Sequence, residues 1–85
     1  MNNIDQLKKK IIYRSEYRGI KEMDLLLSSF VKKYINVFNI DELKQLDNLL
    51  NIDDDSLLKW YFNRQYKIKI PVNKVSILLK KFKLK

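Results

Sequence analysis

The sequence predicts a small all-α domain, organised as a single-domain five-helix bundle. Its 85 residues include one glycine and one proline, so few positions carry the turn chemistry on which β-hairpins depend. Apolar residues recur at intervals of three and four along most of the chain, which is the period of an amphipathic helix. A chain of this length forms one domain, and we expect residues 1–85 to fold as one unit.

The first two predicted helices meet at Gly19. The first runs from about Asn3 to Tyr17, and the second runs from about Lys21 to Val37. We expect Gly19 to end the first helix with a positive φ, which glycine adopts without a steric cost. The second helix has the longest apolar stripe and is therefore expected to be central. The predicted inward residues of the two helices are Ile4, Leu7, Ile11 and Ile12, then Met23, Leu27, Phe30, Tyr34 and Phe38, widened by Leu25, Leu26 and Val31.

Helix-capping residues mark the next two helices. Asn39 is a predicted N-cap, and Glu42 lies three residues later, as in a capping box. Asp53 begins a run of three aspartates, which we interpret as an N-cap followed by acids in the first helical turn. The run lacks the alternation and terminal glutamate of a calcium loop, so it does not predict a metal site. The apolar residues of these helices are Leu43, Leu46, Leu49 and Leu50, then Leu57, Leu58, Trp60, Tyr61 and Phe62.

The C-terminal part is expected to be an extended linker followed by a fifth helix. Residues 65–71 alternate apolar and polar side chains, but one isolated strand has no partner and Pro71 limits it. The fifth helix is predicted from about Val72, with Val75, Leu78, Leu79 and Phe82 on one face. Its Lys80–Lys85 end is expected to fray and to be dispensable for partner binding.

The net charge of +8 belongs to the C-terminal segment. Residues 1–63 carry ten basic and ten acidic side chains, whereas residues 64–85 carry eight basic side chains and no acid. Lysine outnumbers arginine by fifteen to three, which is typical of an AT-rich coding sequence. The arginines at positions 14, 18 and 64 are therefore better candidates for a specific function than the lysines are.

Composition excludes several functional classes. The chain has no cysteine and no histidine, so it has no disulfide, thiolate ligand, histidine base or Ser-His triad. A single glycine cannot form a glycine-rich phosphate loop. The Lys8–Lys10 run interrupts the early apolar pattern, so no signal peptide is predicted, and we expect the protein in the reducing cytoplasm.

The stretch between residues 14 and 30 resembles the signature of the bacterial succinate dehydrogenase flavinylation factors (the SdhE or YgfY-like family). It contains Arg18-Gly19-Ile20-Lys21-Glu22, an Arg-Gly-x-x-Glu motif, followed by Asp24 and Phe30. Asp53, Leu57 and Trp60 extend the likeness downstream, so that it covers roughly residues 11–63. Tyr17 departs from the family pattern, because many members have a second basic residue there, and the lysine-rich tail is peculiar to this sequence.

The resemblance implies an assembly chaperone and not an enzyme. Such a factor binds the flavoprotein subunit of succinate dehydrogenase (or of fumarate reductase) and promotes covalent attachment of FAD to a client histidine. It implies that the FAD belongs to the client, that no cofactor or metal is stably bound, and that the factor is a monomer in the bacterial cytoplasm. The residues predicted to bind the partner are Arg14, Arg18, Gly19, Lys21, Glu22, Asp24 and Asp53.

Three other interpretations remain open at this point. Without a partner, Arg18 and Glu22 would form an exposed pair across the corner, worth only about 0.2–1 kcal/mol. The basic tail, with Tyr61, Phe62, Tyr66 and Phe82 nearby, is also compatible with a nucleic-acid-binding module. An antitoxin-like regulatory protein would use the same surface on another partner. The charge balance of residues 1–63 argues against nucleic acid, and no membrane insertion is expected.

Overall fold

Five α-helices form the domain. The computed structural model describes residues 3–16, 18–65 and 69–83, and no β-strand occurs in those parts of the chain. Helix α1 packs against α2 and α3, α3 packs against α5, and α2 packs against α4. The predicted all-α class is therefore confirmed. The helices are α1 (Asn3–Ser15), α2 (Lys21–Tyr34), α3 (Ile40–Leu50), α4 (Asp54–Tyr61) and α5 (Lys74–Lys81).

The predicted apolar stripes supply the core, with α2 at its centre. Ile11, Leu27, Phe30, Leu46 and Val75 are completely buried, and they come from four different helices. Three residues predicted to face inward do not: these are Ile12, Leu25 and Phe62, which are 41%, 51% and 53% exposed. Helical spacing placed them beside the core, but no other element of the described chain covers them.

Local capping chemistry sets the starts of α3, α4 and α5. Asn39 and Glu42 form the predicted capping box, with both hydrogen bonds at 2.9 Å. The Asp53 carboxylate accepts the backbone N–H of Ser56 at 3.0 Å, so the predicted N-cap of α4 is also confirmed. Helix α5 begins at Lys74 and not at Val72, because the Asn73 side chain caps it in a second capping box.

Two other helix ends differ from the prediction. Helix α1 ends at Ser15, whose hydroxyl donates to the Ile12 carbonyl at 2.7 Å; Tyr17, its predicted last residue, lies outside the described residues. Helix α2 ends at Tyr34 and not at Val37. The Tyr34 carbonyl there accepts the N–H groups of both Val37 and Phe38, which tightens the chain into a turn.

The only positive φ among the described residues belongs to Asn63 and not to Gly19. Asn63 has a φ of 59° and follows α4, where the Arg64 N–H donates to the Lys59 carbonyl at 2.7 Å. The Asn63 N–H donates to the Trp60 carbonyl at 3.2 Å, which completes a Schellman motif. The prediction of a left-handed Gly19 is therefore wrong. Asparagine takes the left-handed position because it tolerates that backbone better than most residues do.

The C-terminal end of α5 is attached to the body of the domain. Lys80 Nζ donates to the Trp60 carbonyl, the Tyr61 hydroxyl donates to the Phe82 carbonyl, and the Phe82 ring lies 5.4 Å from that of Phe30. Helix α5 ends at Lys81, and the chain is held to the domain as far as Phe82, whose ring completes the aromatic core; fraying beyond Phe82 stays a prediction. The predicted linker lies partly outside the described residues, at 66–68; its described remainder has no regular secondary structure, and Ile70 is buried.

The Glu42 carboxylate links α3 to α5 and should make stability depend on pH. Its Oε2 lies 2.6 Å from Lys74 Nζ. The hydrogen bond from Lys74, and then that from the Asn39 N–H, hold the pKa of Glu42 below its ordinary value of 4.5. A lowered folded-state pKa means that this stabilisation is complete above the unfolded-state pKa and is lost as pH falls through the folded-state pKa.

We therefore expect Glu42→Gln to melt at a lower temperature than the original chain at neutral pH. Between about pH 5 and about pH 3 the variant should lose less stability than the original chain, because it has no carboxylate to protonate. Thermal melts across this range test the prediction, with Asp41→Asn as the control for an exposed neighbouring acid. Parallel pH profiles for Glu42→Gln and the original chain would contradict it.

Candidate functional site

Arg18 holds together the corner at which α1, α2, α3 and α4 meet. Its Nη1 donates to the carbonyls of Arg14 and Leu50, both at 3.0 Å, and its Nη2 donates to the Ile52 carbonyl at 3.0 Å. Its Nε donates to Asp54 Oδ1 at 2.5 Å. Four of the five guanidinium N–H donors are therefore used within the chain. The side chain is 11% exposed, so this network is largely shielded from water.

The Asp54 carboxylate accepts the hydrogen bonds that connect Arg18 and the start of α2 to α4. Its Oδ2 accepts the backbone N–H groups of Gly19 at 2.9 Å and Ile20 at 3.3 Å, while Oδ1 accepts from Arg18. Ile20 is the N-cap of α2 and has no side-chain cap of its own. Asp54 is also the first residue of α4, so one carboxylate lies at the positive ends of two helices. The proposed pairing of Arg18 with Glu22 does not occur, because Asp54 takes the guanidinium.

Arg14 contributes to the same corner from one turn earlier in α1. Its Nη1 donates to the Asn51 side-chain oxygen and lies 3.8 Å from Asp47 Oδ1. Lys10 Nζ lies 3.1 Å from Asp47 Oδ2, so a short row of ion pairs joins α1 to α3. These contacts are partly exposed, and each ion pair contributes little stability by itself.

The seven predicted partner-binding residues fall into three groups. Arg14, Arg18, Gly19 and Asp53 line a shallow groove of about 490 Å³, which we call the corner groove. Glu22 lines a second groove of about 510 Å³, which shares no lining residue with the corner groove. Lys21 and Asp24 line neither groove. The two ends of the Arg-Gly-x-x-Glu motif thus line two different grooves: Arg18 and Gly19 line the corner groove, and Glu22 lines the second groove. Binding of a partner by these residues stays a prediction.

Glu22 is the acid of the Arg-Gly-x-x-Glu motif, and its side chain has no polar partner within the described fold. It lies in the first turn of α2, is exposed, and makes no hydrogen bond or ion pair with residues 3–16, 18–65 or 69–83. The Asp53 carboxylate, by contrast, caps the N-terminus of α4. The hydrogen bond from the Ser56 N–H lowers its pKa below the usual aspartate value. No cluster of potential metal ligands occurs among the described residues.

Gly19 is sterically replaceable within the folded chain. Its φ is not positive, and a Cβ added at this position would lie 3.8 Å from Asp54 Oδ2, an ordinary contact distance. We expect Gly19→Ala to change the free energy of unfolding by less than about 1 kcal/mol, measured by denaturant titration. Asn63→Val is the contrasting variant: it should destabilise by about 1–2 kcal/mol, because a β-branched residue is poor at positive φ. A large loss for Gly19→Ala would show a constraint on this backbone that its contacts do not reveal.

The fold and the site define a class of protein, a small all-α module. Its motif supplies Arg18, which holds one interhelical corner together, and Glu22, an acid that is exposed beside that corner. This module carries no histidine or cysteine. The chain belongs to the family described as the flavinator of succinate dehydrogenase, since the model of that family matches residues 9–83. The family predicted from the motif is therefore confirmed.

Several curated relatives are fungal proteins named succinate dehydrogenase assembly factor 2, mitochondrial. One from Schizosaccharomyces japonicus is 46% identical over 54 residues, covering 64% of this chain and 38% of the relative. One from Saccharomyces cerevisiae is 44% identical over 57 residues, covering 67% and 35%. One from Scheffersomyces stipitis is 49% identical over 51 residues, covering 60% and 34%. The matched region thus spans little more than a third of each relative.

These relatives do not place the chain in the bacterial branch that its motif suggested, so bacterial origin stays a prediction. No solved structure shows a significant match to this chain. Among the described residues, no helix is both long enough and apolar enough to span a membrane.

Proposed function

We propose that this protein is an assembly factor that binds the flavoprotein subunit of succinate dehydrogenase and promotes the covalent attachment of FAD to it. The observation that carries the proposal is the match of residues 9–83 to the flavinator family, with the Arg18–Glu22 motif at the main interhelical corner. The fungal relatives carry the name of such an assembly factor. This function is favoured over nucleic-acid binding, which rests on the basic tail and on the aromatic residues near it.

The factor acts by positioning its client and not by proton chemistry of its own. Without histidine or cysteine, the chain lacks the usual general base and cannot form a histidyl or cysteinyl flavin linkage of its own. The FAD and the histidine that receives it belong to the client. Holding reacting groups in a productive geometry can lower a barrier by roughly 7–11 kcal/mol in favourable cases. Glu22, which is exposed beside a rigid corner, is the group we assign to client contact.

Several finer statements belong to the same proposal. The client is the succinate dehydrogenase flavoprotein, with the fumarate reductase flavoprotein as the alternative. The factor binds no metal or cofactor stably, acts as a monomer, and works in the bacterial cytoplasm. Because the named relatives are mitochondrial, the location is tested by fractionating cells of the source organism and following the chain with an antibody.

Co-expression tests the function directly. The flavoprotein subunit is produced with and without this chain in a host whose own flavinylation factor has been deleted, and covalent flavin is read as fluorescence on a denaturing gel. We expect fluorescence to rise at least about tenfold when the chain is present. Equal fluorescence in both samples would overturn the proposal. A salt-sensitive affinity for DNA or RNA would then favour the nucleic-acid alternative.

A further inference from the structure

The second groove, which is lined by Glu22, has no assigned role. It lies between the N-terminal half of α2, the end of α4 and the segment that closes α5, and its volume is about 510 Å³. We call it the lateral groove. The residues that matter here are Glu22, Leu25, Tyr61, Phe62, Lys80 and Lys83.

Two large apolar side chains of the lateral groove are left half-exposed. Leu25 is 51% exposed and Phe62 is 53% exposed, although both belong to the apolar stripes of their helices. Met23 and Leu26 are buried at the same site and give the groove an apolar floor. Apolar side chains that converge on one concavity are typical of protein-binding sites, where one anchor residue of the partner fills the pocket.

Uncommitted charges of opposite sign line this apolar surface. Glu22 contributes a carboxylate and Lys83 contributes an ammonium group, and both are exposed. Neither makes a hydrogen bond or ion pair with the part of the chain that the structure describes. Lys80 differs, because its Nζ donates to the Trp60 carbonyl and lies 4.7 Å from the Trp60 ring centroid. The groove thus offers one free acid and one free base to an occupant.

The lateral groove is continuous with the motif through Glu22. Arg18 and Gly19 line the corner groove, whereas Glu22, four residues after Arg18, lines the lateral groove. A partner that contacts Glu22 therefore lies beside Leu25, which is on the next exposed turn of α2. This adjacency identifies the occupant as part of the partner that the motif binds.

We propose that the lateral groove receives a segment of the client flavoprotein that carries one large apolar side chain, with a carboxylate facing Lys83 and a basic group facing Glu22. The inference rests on the proposed function and adds to it a second, apolar contact area. It also revises the expectation that the Lys80–Lys85 end is dispensable for partner binding, because Lys83 lines that area. The apolar side chain fills the space between Leu25 and Phe62, and the charged groups set the orientation of the segment. Burying the two half-exposed side chains supplies affinity, while the charge pairs supply specificity.

Site-specific photocrosslinking tests where the client lies. Leu25 and Phe62 are each replaced by p-benzoylphenylalanine, and each variant is irradiated with the purified apo-flavoprotein subunit. Val37 is the matched control, because it is apolar, 71% exposed and follows the other end of α2. We expect crosslinks at positions 25 and 62, mapped by mass spectrometry to one client segment that contains an acidic residue. Crosslinking no stronger than at Val37 would overturn the proposal.

Substitutions test whether the contact matters for affinity. Phe62→Ser should weaken binding to the apo-flavoprotein at least about tenfold, and Lys83→Glu should weaken it about threefold, whereas Val37→Ser and Lys81→Glu should stay within about twofold. Circular dichroism checks that each variant is folded. If the unsubstituted chain does not raise covalent flavin, the proposed function itself fails. If it does so while Phe62→Ser and Lys83→Glu bind normally, only the lateral groove is wrong.

Discussion

Replacing Arg18 by alanine should lower the free energy of unfolding by about 2–4 kcal/mol. The substitution leaves the Asp54 carboxylate, which is 14% exposed, without its cation, and it leaves three carbonyl groups without their donor. Removing one partner of a largely buried ion pair costs more than the pair contributes, because the remaining charge is poorly solvated. For a domain of this size the melting temperature should fall by at least about 10 °C.

Two further variants separate the shape of the guanidinium from its charge. Arg18→Lys keeps the charge but cannot reach four acceptors in a plane, so we expect it to lose more than half as much stability as Arg18→Ala does. Arg64→Ala is the matched control, because Arg64 is exposed and its guanidinium, among the described residues, lies only against the Phe62 ring, at 5.9 Å. In a double-mutant cycle, Arg18→Ala and Asp54→Ala should be coupled by about 1–3 kcal/mol. If Arg18→Ala melts at the original temperature, the guanidinium is not structural and is free for a partner.

Most of the helical framework could be predicted from sequence, because its signals are local. The Asn39–Glu42 capping box and the Asp53 cap each act within three residues, so they can be recognised without knowledge of the fold. The apolar period likewise identifies which face of each helix is buried. It does not show how wide that face is, and for this reason Leu25 and Phe62 were predicted to be inside.

The network at the corner could not be predicted, because its partners are far apart in the chain. Arg18 and Asp54 are 36 residues apart, and Asp54 was interpreted only as an acid in the first turn of a helix. The one signal for the pair was the presence of arginine in a chain that otherwise uses lysine. A lysine could not bridge four acceptors. The arginine therefore indicates a site that needs several hydrogen-bond donors in one plane. Composition thus indicated that Arg18 has a specific role, whereas only the tertiary structure shows that Asp54 is its partner.

The left-handed position was assigned to the wrong residue for a similar reason. Glycine is the usual choice at positive φ, and this chain has one glycine, at a helix boundary. The structure places the left-handed residue at Asn63, where the α4 carbonyl groups require a Schellman ending. Gly19 is instead a residue whose backbone N–H faces the Asp54 carboxylate in an open groove.

Replacing Glu22 by alanine should separate function from folding most sharply. Glu22 makes no hydrogen bond or ion pair with the described chain, and its electrostatic contribution to stability is a favourable position in the first turn of α2. That position is worth about 0.3–1 kcal/mol, so the melting temperature should fall by only a few degrees. We expect covalent flavin on the client to fall at least about tenfold, because Glu22 is the exposed acid shared by the motif and the lateral groove.

The measurement compares Glu22→Ala, Glu22→Gln and the original chain, each co-expressed with the client flavoprotein and assayed for flavin fluorescence on a denaturing gel. Asp41→Ala is the matched control, since Asp41 is also an exposed acid in the first turn of a helix, α3. If Glu22 pairs with a basic client group, Glu22→Gln should be impaired almost as much as Glu22→Ala, because the amide keeps the shape but not the charge. Should Glu22→Ala support flavin attachment as well as Asp41→Ala does, the motif would be a structural corner alone, and the client would bind elsewhere.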